Sequence, residues 1–255
     1  MKALGTLEFR VADLAGPAPD LRPRDHALPF VAVYAVNCDQ ALPCAASRVS
    51  AAAALDGQGY TRDAGARRKA LLRQCTRWLL GAHLGLRADA VPIERNRHDA
   101  PRLGPSWTGA RLAFSSTLCG AEGAIAIGSG EVLGIDLERA DAQRFAAALA
   151  AHLLHAREWA RFERVRADDR AAWLTRAWVG KEATLKALGL GLNRDPREID
   201  VMGALADPEA TMPSTFSPAP YPRLAGRWHL DGSLVGALVM SQPPVDPTWR
   251  RLVLT

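Results

Sequence analysis

Apolar and polar positions alternate with a period that changes several times along the chain, and each change marks an element. Phe30-Val-Ala-Val-Tyr-Ala-Val36 is an apolar, β-branched run and predicts a strand. Ala66–Leu84 carries Leu71, Leu72, Cys75, Leu79 and Leu80 along one side and predicts a helix, with a shorter one over Arg48–Leu55. Arg111–Ser115 and Gly123–Ile127 read as strands ahead of the acidic stretch Glu131–Glu138. Phe145–Arg166 and Asp168–Leu188 each read as a helix, the second stopped by Gly189 and Gly191. Ile199-Asp-Val201 predicts a short strand, and Pro208–Pro222 a loop. Gly226–Leu230 and Ser233–Met240 form an expected hairpin about Asp231-Gly232. The mixture predicts an α+β fold, with no repeat visible at the level of residues.

The chemistry concentrates in two short segments. In Gly134-Ile-Asp-Leu-Glu138, strand alternation puts Asp136 and Glu138 on one face and Ile135 and Leu137 on the other. Two neighbouring carboxylates repel unless a cation lies between them, and hard oxygen ligands suit Mg²⁺ beside substrate phosphates. The plain alternative is a solvated acidic edge. In Trp178-Val-Gly-Lys-Glu-Ala-Thr-Leu-Lys186, Glu182 and Lys186 are i and i+4 on a helix and share a face. In isolation such a pair is an ordinary surface ion pair worth only about 0.3–0.5 kcal/mol.

Taken together, Gly-Ile-Asp-Leu-Glu followed by Trp-x-x-Lys-Glu-Ala-x-x-Lys resembles the signature of the 4′-phosphopantetheinyl transferases. Length and motif spacing resemble the surfactin-type branch. Looser similarities are Leu153-Leu-His-Ala-Arg-Glu158 between the motifs, Arg67-Arg-Lys69 at the start of the early helix, and Gly189-Leu-Gly-Leu192 after the lysine helix. The resemblance implies two similar α/β lobes packed as a pseudo-dimer in one chain, with the active site in the cleft between them. The corresponding boundaries are an extension over 1–26, an N-terminal lobe over 27–128, a C-terminal lobe over 129–242 and a tail over 243–255.

It also implies transfer of 4′-phosphopantetheine from coenzyme A to a serine of an apo acyl or peptidyl carrier protein, releasing 3′,5′-ADP. Asp136, Glu138 and Glu182 are then the Mg²⁺ ligands, with Mn²⁺ as an alternative ion. Glu182, Lys186 and Asp136 are the catalytic set, Glu182 accepting the serine proton. Lys186, Lys181, Ser115, Ser116, Arg68, Lys69 and Arg102 are the expected coenzyme A contacts.

Two departures from the family pattern stand out. Asp99-Ala-Pro101 replaces the usual Gly-Lys-Pro, so Arg97 or Arg102 takes over the missing lysine's charge. Ser115-Ser-Thr117 replaces Ser-His-Ser, putting Ser116 where the family has a histidine. Serine keeps a hydrogen-bond donor and loses the charge. A catalytically silent homologue that binds carrier protein or coenzyme A is the alternative reading.

Composition narrows the picture further. The 255 residues are 48% hydrophobic, enough for a substantial core, and contain no apolar run long enough to span a membrane. The four cysteines lack C-x-x-C spacing, and the N-terminus has no apolar signal core, so a cytoplasmic protein with reduced thiols is expected; a monomer is the expected form. The net charge of +5 is scattered and not interleaved with aromatics. That fits an acidic carrier protein and a polyanionic cosubstrate better than nucleic acid.

Overall fold

The computed structural model describes residues 7–11, 14, 19–21, 29–42, 63–104, 112–141, 145, 147–201, 215–216, 218–221, 223–241 and 246–254. It is a mixed α+β structure whose chain divides into two compact units. One unit comprises Met1–Glu94, Leu103–Ser129 and Val245–Thr255, and the other Arg95–Arg102 and Gly130–Pro244.

The first unit is built on a five-stranded sheet. Its strands are β1 (Leu7–Val11), β2 (Val31–Asn37), β5 (Leu112–Cys119), β6 (Glu122–Ser129) and β11 (Thr248–Leu254), in the order β1-β11-β2-β6-β5. The β1–β11 and β11–β2 pairs are parallel; β2–β6 and β6–β5 are antiparallel. Helix α1 (Ala64–Leu84) starts at Asp63, whose side chain accepts the Ala66 N–H, and ends at Gly85 in the left-handed conformation. Its face of Leu71, Leu72, Cys75, Leu79 and Leu80 is buried in one core with Tyr34, Ile125 and Ile127. Strands β3 (Ile93–Arg95) and β4 (Pro101–Leu103) form a separate two-stranded sheet.

The second unit has a four-stranded antiparallel sheet, β7-β10-β9-β8, from β7 (Leu133–Arg139), β8 (Thr215–Phe216), β9 (Leu224–Asp231) and β10 (Leu234–Ser241). Gly232, at φ +58°, turns the β9–β10 hairpin. Helices α2 (Ala147–Leu153) and α3 (Ala156–Phe162) precede the long α4 (Arg170–Ala187), which packs on β7 and β10. Its inner side joins Phe145, Phe162, Trp173, Ile199, Trp228 and Val239 in a second core.

Several expectations change here. The terminal segments, read as an extension and a tail, contribute β1 and β11 to the first sheet. Backbone pairing along an edge has no strong periodic signature in such short, arginine-rich strands. Phe145–Arg166, read as one helix, is two. His155 caps α3 by accepting the Arg157 N–H while Glu158 reaches back to the His155 N–H, and this capping box restarts the helix. The expected strand Ile199–Val201 is a single bridge, Asp200 with Ala219. The proline-rich stretch, read wholly as loop, carries β8. The expected helix over Arg48–Leu55 lies outside the described residues.

Gly134 sets the spacing between β7 and α4. A Cβ there would collide with the Ala183 carbonyl oxygen and lie 2.5 Å from the Ala187 nitrogen. Both obstacles are helix backbone and cannot swing aside. Gly134→Ala is therefore expected to destabilise the protein by roughly 3 kcal/mol, at the top of the usual range for overpacking. Urea denaturation monitored by tryptophan fluorescence measures this directly.

Candidate active site

Close packing of α4 on β7 brings the two acidic motifs together. Asp136 is buried near the middle of β7, opposite Ala237 of β10. Lys186, on the last turn of α4, reaches across and donates from Nζ to Asp136 Oδ1 at 2.7 Å and to the Ile135 carbonyl at 3.3 Å. Glu182, one turn earlier, is half-buried, and its Oε1 has no hydrogen-bond partner among the described residues. Burial pushes the Glu182 carboxyl up to about 7. The Asp136 charge adds to the rise, Lys186 opposes it, and Glu138 adds a smaller push. Asp136, Glu138, Glu182 and Lys186 thus share one electrostatic neighbourhood, three negative groups against one positive.

That imbalance is the chemical property of the site. A buried carboxylate oxygen without a donor, beside two further carboxylates, is the environment a hard cation relieves. The residues present fit Mg²⁺ in the kind and charge of their donors. Among the described residues no group of three or more potential ligands is yet drawn into a coordination cage. Lys186 holds Asp136 Oδ1 instead.

The expected coenzyme A contacts separate into three groups. Lys181 is the clear correction. It is fully buried, its Nζ lies 2.6 Å from Glu158 Oε2, and it donates to the Pro196 and Ile199 carbonyls at 3.0 and 2.5 Å. Helical periodicity turns it away from Glu182 and into the core, so it offers nothing to a phosphate. Ser115, Ser116, Arg68 and Lys69 belong to the first unit. Ser115 is buried on β5, with Ser116 beside it partly exposed. Arg68 makes a bidentate pair with Asp39, both distances 2.7 Å, and Lys69 is exposed.

Arg102 belongs with the metal motifs in the second unit, where it lines a cavity of about 400 Å³. Asn96, Arg97 and His98 line it too, facing Leu188, Gly189 and Leu190 just past the end of α4. Arg97 Nε donates to His98 Nε2 at 3.0 Å. Asn96 organises this wall. Its Oδ1 accepts the His98 and Ala100 N–H groups at 2.9 and 3.0 Å, and its Nδ2 donates to the Gly189 carbonyl at 2.8 Å. Sequence reasoning missed Asn96 and His98. The available signal was an Asn ahead of Asp99, the pattern of a side-chain-stabilised turn; Asp99 indeed has φ +63°. His152 lies in the last turn of α2 and His155 caps α3.

Comparison with known proteins bears on this unit. Residues 132–229 match the family model of the 4′-phosphopantetheinyl transferase superfamily. The match covers less than half of the chain and contains Asp136, Glu138, Glu182 and Lys186. Among solved structures, the chain is similar to holo-[acyl-carrier-protein] synthase (AcpS) from Neisseria meningitidis. The identity is 19%, over 44% of this chain and 98% of that one, with a TM-score of 0.35. No curated protein sequence matches. Among the described residues, no helix is long and apolar enough to cross a membrane.

The raised Glu182 carboxyl has a consequence for stability. Its folded value of about 7 exceeds the ordinary 4.5, so the native state holds a proton that the unfolded chain releases. Its contribution is present below pH 4.5 and is lost as pH rises through 7. Without divalent ions, Glu182→Gln is expected to gain stability relative to the wild type between those limits. Paired denaturant titrations at pH 5 and pH 8 (approximate end points of that window) measure the slope.

Proposed function

We propose that this chain is a 4′-phosphopantetheinyl transferase that moves the phosphopantetheine of coenzyme A onto a serine of an apo carrier protein. The observation that carries the reading is the buried, donor-free Glu182 oxygen beside Asp136 and Lys186. The superfamily match over 132–229 supports it. In this reading the carrier serine oxygen bonds to the β-phosphorus of coenzyme A. The bond from that phosphorus to the bridging oxygen breaks, and 3′,5′-ADP departs with that oxygen. Glu182 takes the serine proton as the general base. Lys186 places its positive charge against the diphosphate, exchanging Asp136 for the substrate as partner. Asp136 and Glu182, with Glu138 completing the set, would hold Mg²⁺ or Mn²⁺, which when bound neutralises phosphate charge. The basic, half-apolar cavity of Arg97, His98 and Arg102 suits a nucleotide phosphate next to its base.

The finer details belong to the same proposal. Each unit carries one long helix packed on a sheet, which agrees with the internally duplicated, surfactin-type arrangement. An acidic carrier protein is the partner, and a cytoplasmic monomer the working form. Ser115, Ser116, Arg68 and Lys69 are further proposed cosubstrate contacts, Arg68 after release from Asp39.

The deciding measurement is the mass of an apo-acyl carrier protein after incubation with the protein, coenzyme A and Mg²⁺. The wild type is expected to add one phosphopantetheine, and Glu182→Gln none. Binding of coenzyme A without any mass gain on several carriers would establish the silent homologue instead. Neither binding nor gain would end the reading. Arg102→Ala is expected to weaken coenzyme A binding by about ten-fold, the loss of one charged phosphate contact. 3′-Dephospho-coenzyme A, measured by calorimetry alongside, should lose less if Arg102 meets the 3′-phosphate.

A further inference from the structure

Helix α4 is held by a second constraint, deep in the core of its unit. Lys181 and Glu158 are both 0% exposed. The lysine's donors go to Glu158 Oε2 and to the Pro196 and Ile199 carbonyls. The carboxylate is equally occupied. Besides Lys181, it accepts the His155 N–H on Oε2 at 2.9 Å and the Val201 N–H on Oε1 at 2.7 Å. One ion pair therefore ties the middle of α4 to the first turn of α3 and to both ends of the Pro196–Val201 segment.

A pair so completely removed from water has no stability advantage over apolar side chains of similar volume, because desolvation cancels much of the attraction. Apolar contacts are also non-directional, whereas five hydrogen-bonding contacts converging on two side chains restrict both the rotation and the height of the helix. That rotation matters because Glu182 follows Lys181 directly and Lys186 lies on the next turn. A helix advances about 100° per residue, so a small turn about its axis swings both side chains across β7. The opposing contact, the Ala183 and Ala187 backbone over Gly134, fixes the distance to β7.

We propose that Glu158 and Lys181 are positioning residues for the active site, setting the rotation of α4 that aims Lys186 and Glu182 at Asp136. Only the kinetic part of the test rests on the transferase reading. The informative variant is Glu158→Leu with Lys181→Met, which removes the pair without leaving a lone buried charge. It is expected to melt within a few degrees of the wild type. The Lys186 ammonium signal in ¹⁵N-lysine NMR should lose its contact with Asp136, and kcat should fall roughly 10–100-fold with KM for coenzyme A nearly unchanged.

A retained Lys186–Asp136 contact together with wild-type kcat would overturn the proposal and reduce the pair to packing. If the wild type itself transfers nothing, the functional reading fails, while the NMR comparison still decides the positioning role. Should the double variant fail to fold, Glu158→Asp keeps the charge and shortens the arm by one methylene. The same loss of contact and turnover, in smaller degree, is expected of it, and an unchanged contact would count against the proposal.

Discussion

Everything distinctive about the second unit depends on a missing side chain. At Gly134 the backbone of β7 meets the backbone of α4 with no Cβ between them. Helices usually stand off a sheet by the thickness of their side chains. Removing that layer at one point lets a lysine on the helix reach a carboxylate on the strand, 2.7 Å away. Asp136 can be buried because this cation is within reach. Glu182 is left with an unmatched charge because the same cation cannot serve two carboxylates equally.

The electrostatic frustration that results is the opposite of what stability would select. Glu182 keeps a buried oxygen without a donor among the described residues, while the α3 cap in the same unit is satisfied by specific partners. Proteins tolerate such imbalance where a ligand is to correct it. Glu158 on α3 and Lys181 on α4 show the contrast within the same unit: two buried charges whose hydrogen-bonding capacity is fully used. That pair is closed to solvent, whereas Lys186 and Glu182 are each partly exposed beside the buried Asp136.

Much of this was legible in the sequence, for definite reasons. Period-two alternation placed Asp136 and Glu138 on one face, and i,i+4 spacing placed Lys186 next to Glu182; both are local rules that survive packing. The Leu71–Leu80 stripe of α1 and the Asp231-Gly232 turn were legible on the same terms. Lys181 failed because spacing says which residues share a face and not which face meets the core. An ammonium group is a poor candidate for burial until Glu158, distant in sequence, is known to await it. The division of Phe145–Arg166 failed because His155 is an uncommon cap, recognisable only once Glu158 is seen folding back. Asn96 was missed because its work is done entirely on backbone atoms, so that the turn pattern ahead of Asp99 was its one trace in the sequence.

The parallel pairing of β1 with β11 bears on the order in which the chain assembles during synthesis. Residues of the second unit from Gly130 to Pro244 emerge from the ribosome as one nearly continuous stretch and can collapse onto α4 as they appear. Strand β1 emerges first, yet its strand neighbour among the described residues is β11, and β2 also has β11 on one side. That edge of the five-stranded sheet therefore waits, with β2 open to unwanted pairing, until β11 has been made. A strand made ahead of the other described strands is thus among the last of them to find its place.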